Sequence, residues 1–276
     1  MKLSKTSTKV KPINDDFFVG YKPMPNKERR LLLAAIPLVV AGISGLGALI
    51  ATNQKKSDAA IWGRREVSIQ GKLVKNPYPY LMVPNRYSAV GYDTVFLVKL
   101  GKHGSQEMVK DLDAENVKVT GKILSRHDTR HNYLMETTSV TGIRGKLPVA
   151  VNPPSNLGSY RIRGRILDSK CHFGVMQPSS GMTHKSCAAL CVRGGIPPMF
   201  VPQSTKLNRL VIARNLDAVG DAVAGADDKS IYSAKDIKAL LPYMLDLIEA
   251  EGQLSLVHNH YEFAINPASV KVIASC

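Results

Sequence analysis

Four side chains in this 276-residue chain have types and spacings that could do chemistry: Cys171, His184, Cys187 and Cys191. Thr183 suits an N-cap and Gly194-Gly195 a helix stop, so the sequence predicts a helix of about two to three turns over 184–193. On such a helix His184, Cys187 and Cys191 follow at intervals of three and four and share one face. Cys171 follows a predicted strand and can approach that face. Four soft donors so arranged suit tetrahedral Zn²⁺ or a copper ion, and fit an iron–sulfur centre less well; His172 is a fifth donor within reach. The competing reading is structural. In an oxidising compartment Cys171 bridges to Cys187 or Cys191, staples the helix to its domain and leaves the third thiol buried. The spacing is neither the Cys-x-x-Cys-His of haem attachment nor the Cys-x-x-Cys of a thioredoxin-like dithiol. Lys170, Lys185 and Arg193 flank the cluster and favour thiolate, while Cys276 carries no clear signal.

Positioning these donors falls to β-structure that recurs along the chain. Val67-Ser-Ile-Gln-Gly-Lys-Leu-Val74 and Tyr160-Arg-Ile-Arg-Gly-Arg-Ile-Leu167 both alternate apolar and polar residues around a central glycine, as a half-buried strand does where it bends. Thr94–Leu100 corresponds to Arg209–Asn215, and the amphipathic segment Gln106–Leu112 to Ala234–Leu245. Val117–Leu124 with Asn132–Glu136 then corresponds to the closing hairpin Ile248–Leu254 with Tyr261–Ile265. Strands, helix and a glycine-containing hairpin in this order describe a five-stranded, OB-like barrel, and their recurrence predicts two in tandem. The chain thus reads as mainly β: a first barrel at 65–145, a Pro-rich stiff linker at 146–158, and a second barrel at 159–276 whose insertion carries the Cys/His residues.

The segment 31–52 contains no charge and is long enough as a helix to cross a hydrocarbon core of about 30 Å. Before it lies a tail, 1–30, with Lys2, Lys5, Lys9, Lys11, Lys22, Lys27, Arg29 and Arg30; after it a linker, 53–64, leads to the first barrel. The basic tail favours a cytoplasmic N-terminus, a single uncleaved span in a bacterial inner membrane, and periplasmic barrels. Gly42, Gly45 and Gly47 would let another helix approach closely. The chain is 44% hydrophobic and 21% charged, which excludes collagen-like and wholly disordered classes. Its 37 Lys+Arg against 22 Asp+Glu, a net +15, favour anionic partners such as lipid headgroups.

Gly164-Arg-Ile-Leu-Asp-Ser-Lys-Cys171 followed by His184-Lys-Ser-Cys-Ala-Ala-Leu-Cys-Val-Arg-Gly-Gly195 resembles bacterial exported proteins that carry an Asp-Ser-x-Cys and His-x-x-Cys pattern in an OB-like domain. The resemblance covers 158–276. It implies an exported β-domain with a Cys/His site and brings no known reaction.

No Gly-x-Ser-x-Gly elbow, P-loop or His-Glu-x-x-His occurs, and no positive case for hydrolysis arises. The sequence is therefore read as a membrane-anchored binding or scaffold subunit rather than an enzyme. Its expected partners are membrane lipid and other subunits of a respiratory or electron-transfer type assembly, and its Cys/His cluster is a zinc or copper site or a disulfide. Redox or metal transfer by the cluster is the alternative. A third reading, single-stranded nucleic-acid binding, rests on Tyr78, Tyr80 and Tyr87 beside Lys75 and Arg86, but membrane tethering makes a headgroup-level role for these residues the better one.

Overall fold

A computed structural model describes residues 26–53, 60–127, 129–203, 209–219 and 238–276. The N-terminal unit contains helix α1 (Asn26–Asn53). Its 28 residues, about 42 Å at about 1.5 Å each, make it long and apolar enough to cross a bilayer. None of its side chains is buried, and Leu31, Leu38 and Ile43 are among those exposed. Most of the basic tail lies outside the described residues.

Residues 57–276 form one compact unit built from two closed barrels. The first comprises a short edge strand β1 (Ile61–Trp62), then β2 (Val67–Val74), β3 (Tyr80–Pro84), β4 (Tyr92–Lys99), the two-residue β5 (His103–Gly104), helix α2 (Gln106–Val109), β6 (Asn116–Ser125) and β7 (Asn132–Gly142). Antiparallel pairs β2–β3, β3–β4, β6–β7 and β2–β6 close through a parallel β4–β7 pair. The second comprises β8 (Ser155–Asp168), a π turn (Cys171–Val175), helix α3 (Met182–Arg193), β9 (Pro198–Pro202), β10 (Val211–Asn215), the short α4 (Leu216–Val219), β11 (Leu247–Val257), β12 (His260–Ile265) and a final β13 (Lys271–Ala274). The circuit is the same, β8–β9–β10–β12–β11–β8, with β10–β12 as its parallel pair. Two OB-like five-stranded barrels therefore stand in tandem, as the repeat predicts.

The repeated glycines have a shared physical reason. A Cβ at Gly71 would lie 2.9 Å from the carbonyl oxygen of Met82, and one at Gly164 would lie 2.5 Å from both Phe200 Cζ and the carbonyl oxygen of Val201. At both places the first strand of a barrel crosses the second too closely for a side chain.

Two details depart from the sequence expectations. The linker reading ends at 158, yet β8 begins at Ser155 and pairs with β11 from its first residue. β8 starts directly after Pro153-Pro154, which lack the N–H a sheet ladder needs. The amphipathic segment expected at 234–245 lies partly outside the described residues, and its visible end holds a 3₁₀ turn, Leu241–Tyr243.

Nor are the barrels separate modules on a stiff connector. Strand alternation in the first barrel sends Leu81, Val95, Leu97, Val119 and Met135 into its own interior. The other face, Tyr80, Met82, Tyr92, Phe96, Val98 and Leu134, joins the core of the second barrel in one continuous apolar cluster. Asn132, fully buried, ties this seam together: its Nδ2 donates to the Asn259 carbonyl at 2.8 Å and its Oδ1 accepts the Leu210 N–H at 2.7 Å. Partners at both ends of this buried amide offset the cost of taking it out of water.

Candidate metal centre

The insertion between β8 and β9 has no counterpart in the first barrel, where β2 and β3 join by a short turn. It brings three of the four expected donors together. The sulfurs of Cys171, Cys187 and Cys191 all lie within 4.8 Å of one another, a group that could hold a metal ion. A tetrahedral site with metal–sulfur bonds of about 2.3 Å has sulfurs about 3.8 Å apart, so this spacing accommodates an ion with little movement. Cys171 and Cys191 are buried, Cys187 is partly exposed, and all four cysteines of the chain are free thiols.

The helix that carries two of these sulfurs starts earlier than expected. Met182 is its first residue and Gly181, at φ 85°, sits at the N-cap without a side-chain bond, so Thr183 is inside the helix rather than capping it. The C-terminus follows the sequence reading. The Gly194 N–H donates to the Leu190 carbonyl at 2.9 Å, and Gly195 turns the chain with φ 97°.

His184 is brought to the cluster but faces a different partner. Its Nε2 lies 3.0 Å from Oδ2 of Asp168, and both residues are buried. Oδ1 of Asp168 accepts the backbone N–H of Cys171 at 2.8 Å. Asp168, Cys171 and His184 thus form a second group of potential donors that shares Cys171 with the thiol group. A carboxylate that fixes an imidazole and the backbone beside a sulfur is the usual support behind a metal ligand. Asp168 ends β8, and its role shows in the sequence only as the residue three before Cys171.

The expected cations lead elsewhere. Lys170 Nζ is buried and donates to Glu136 Oε1 at 2.7 Å and to the carbonyls of Lys99 at 2.7 Å and Gly101 at 3.0 Å, all in the first barrel. Lys185 Nζ reaches both carboxylate oxygens of Asp246, at 2.7 and 2.8 Å. The ammonium that meets sulfur is Lys102, which donates to Cys187 Sγ at 2.8 Å from the loop between β4 and β5. That bond raises the Lys102 pKa, as do the neighbouring sulfurs. Met176 adds a further soft atom, with Sδ 3.6 Å from Cys187 Sγ. Neither residue shows in the spacing of the cluster, because Lys102 is 85 positions from Cys187.

Electrostatics divide the two inner thiols. A hydrogen bond to Cys191, with burial, pushes the Cys171 thiol pKa far up. The same bond lowers the Cys191 pKa, with Lys102 contributing in that direction. The opposite shifts make Cys191 the more readily ionised of the two inner thiols.

The loop that brings Lys102 is clamped onto the end of α3. Gly104 N–H donates to the Gly194 carbonyl at 2.9 Å, and Gln106 Nε2 to the Gly195 carbonyl at 3.0 Å. A Cβ at Gly194 would lie 1.7 Å from the carbonyl oxygen of Lys102, so a glycine is required there for space.

Histidines and tyrosines away from the cluster have ordinary partners. His131 Nδ1 is 2.8 Å from Asp93 Oδ1. His258 is hydrogen-bonded through Nδ1 to the Tyr80 hydroxyl, whereas His260 stands edge-on to the Tyr80 and Phe96 rings. Tyr78 and Tyr80 are core side chains, and of the three tyrosines considered for stacking only Tyr87 is exposed, with Arg86 over its ring. The outer face of β3 and β4, where OB barrels commonly hold oligonucleotides, packs against the second barrel. No family model, curated protein or solved structure matches the chain.

Proposed function

We propose that this protein is a membrane-anchored subunit that holds a soft metal ion, zinc or copper, on the three thiols at the seam of its two barrels. The observation that carries the reading is the convergence of Cys171, Cys187 and Cys191 with a supporting Asp168–His184 pair. Three sulfurs buried to different degrees, one of them held by an ammonium, are more than packing needs. Zinc or copper would be bound by these sulfurs and would gain a fixed, largely water-free coordination shell.

The basic tail favours a cytoplasmic N-terminus, with the barrels on the periplasmic side of a bacterial inner membrane. Lipid around α1 and other membrane subunits of a respiratory or electron-transfer type assembly are its proposed partners, the latter approaching along Gly42 and Gly45, three apart on the helix.

Elemental analysis of the full chain, purified in mild detergent under anaerobic reducing conditions, tests the metal reading. One equivalent of zinc or copper per chain is expected, and Cys191→Ser should lose it. A reduced, folded chain that takes up neither metal ends the reading.

A redox reading has one specific support, the closeness of the buried Cys171 and Cys191 sulfurs, within 4.8 Å of each other. Oxidation of this pair would form one S–S bond and release the protons that the pair still carries, with two electrons passing to a disulfide partner. Peptide mapping after exposure to an oxidised dithiol would show a Cys171–Cys191 link if the pair serves this purpose, and intact thiols would dismiss it.

A further inference from the structure

We infer that the ion is Cu(I) rather than Zn²⁺, held by the sulfurs of Cys171, Cys187 and Cys191 with the Met176 thioether as its point of entry; this rests on the proposed metal site. The donor next to Cys187 decides the matter. Zinc sites complete their fourth position with imidazole, carboxylate, thiolate or water, whereas thioether sulfur is a ligand for Cu(I). Of the two imidazoles in this region, His184 belongs to the group around Asp168 and Cys171 and is held by Asp168 at 3.0 Å, and His172 has its Nδ1 3.5 Å from Ser179 Oγ, while the soft atom beside Cys187 is Met176 Sδ at 3.6 Å.

Exposure sets a direction of travel. Met176 is 44% exposed and Cys187 partly so, whereas Cys171 and Cys191 are 3% and 2% exposed. A cuprous ion arriving from solvent or a donor protein meets the Met176–Cys187 edge first and then exchanges inward to the buried pair. Binding forms three Cu–S bonds and releases to solvent the protons that the thiols still carry, with no electron transferred. Lys102, from the other barrel, stands at that same edge and offsets the negative charge that three thiolates leave around a monovalent ion.

The test uses the full chain in detergent, reduced and anaerobic, titrated separately with Cu(I) against a colorimetric cuprous chelator and with Zn²⁺ against a zinc chelator. One Cu(I) per chain should bind with an all-sulfur shell in X-ray absorption. Met176→Leu, at an exposed position, should weaken Cu(I) about tenfold and leave Zn²⁺ binding unchanged. Cys187→Ser should weaken Cu(I) by about a hundredfold or more, with far-UV circular dichroism confirming that both variants fold. Zinc binding without cuprous binding, an imidazole scattering signature, or unchanged Cu(I) affinity in Met176→Leu would overturn the inference while leaving a metal site in place. Failure to bind either ion would remove the metal site itself.

Discussion

The two barrels follow one strand circuit and reach different ends. The first spends its second and third strands, β3 and β4, on a face that packs against the second barrel. The second opens the connection between its first two strands and fills the gap with the π turn and α3, on which the sulfurs sit. Neither barrel makes the site alone. The thiols come from the insertion, the ammonium on Cys187 comes from the β4–β5 loop of the first barrel, and the Lys170–Glu136 pair locks the two together. A repeated frame thus yields a site at its junction, where one copy carries the donors and the other controls their surroundings.

Breaking the junction at its buried charge should have the largest effect. Lys170→Met leaves Glu136 buried and unpaired and is expected to cost about 3–5 kcal/mol in urea unfolding of the detergent-solubilised chain. The exposed Lys72–Glu115 pair, within the first barrel, should contribute no more than about 1 kcal/mol when cut by Glu115→Gln. Equal effects from the two changes would deny the seam its special role.

A gentler wedge is Gly194→Ala. Its methyl group would collide with the Lys102 carbonyl, so the clamp must shift, at an expected cost of about 1–3 kcal/mol. Alkylation of the cluster should slow as the Lys102 ammonium withdraws, in the same direction as when that charge is removed, and an unchanged rate would show that the loop yields without disturbing the thiols.

Acid should weaken the seam before it weakens either barrel. Burial, and then the neighbouring His260, lower the pKa of His258 below its ordinary 6.5. The unfolded chain therefore takes up a proton that the folded chain refuses, and stability falls as pH drops below about 6.5 toward the folded value. Burial keeps the Tyr80 hydroxyl protonated, so it donates to neutral His258, and protonation of the imidazole removes that acceptor. Urea midpoints at about pH 7.5 and 5.5 should show this slope, and His258→Asn should flatten it. The depressed carboxylates Asp246 and Glu249, which Lys185 and Arg163 hold ionised, lose their contributions only at lower pH.

The smallest effect concerns chemistry rather than stability. Lys102→Met removes one charge from a partly solvated position, so iodoacetamide should react with the cluster about twofold more slowly near neutral pH, the effect of a few tenths of a kcal/mol. A rate unaltered by this change would mean that the first barrel does not tune the second.

By itself the sequence determined what short-range patterning can encode. Alternation with a glycine at each crossing gave both barrels and their order, a charge-free run gave α1, and intervals of three and four placed His184, Cys187 and Cys191 on one side of a helix. Each signal is local because strand and helix periods repeat within a few residues. What only the tertiary structure decided is which groups from distant segments meet. Lys102 rather than Lys170 or Lys185 reaches sulfur, Asp168 claims His184, and Met176 stands beside Cys187. Tyr78 and Tyr80, expected at a surface, lie in a core shared by the two barrels. Such pairings depend on how two closed sheets dock, and docking is set by the shape and burial of whole faces, which no interval between neighbouring residues records.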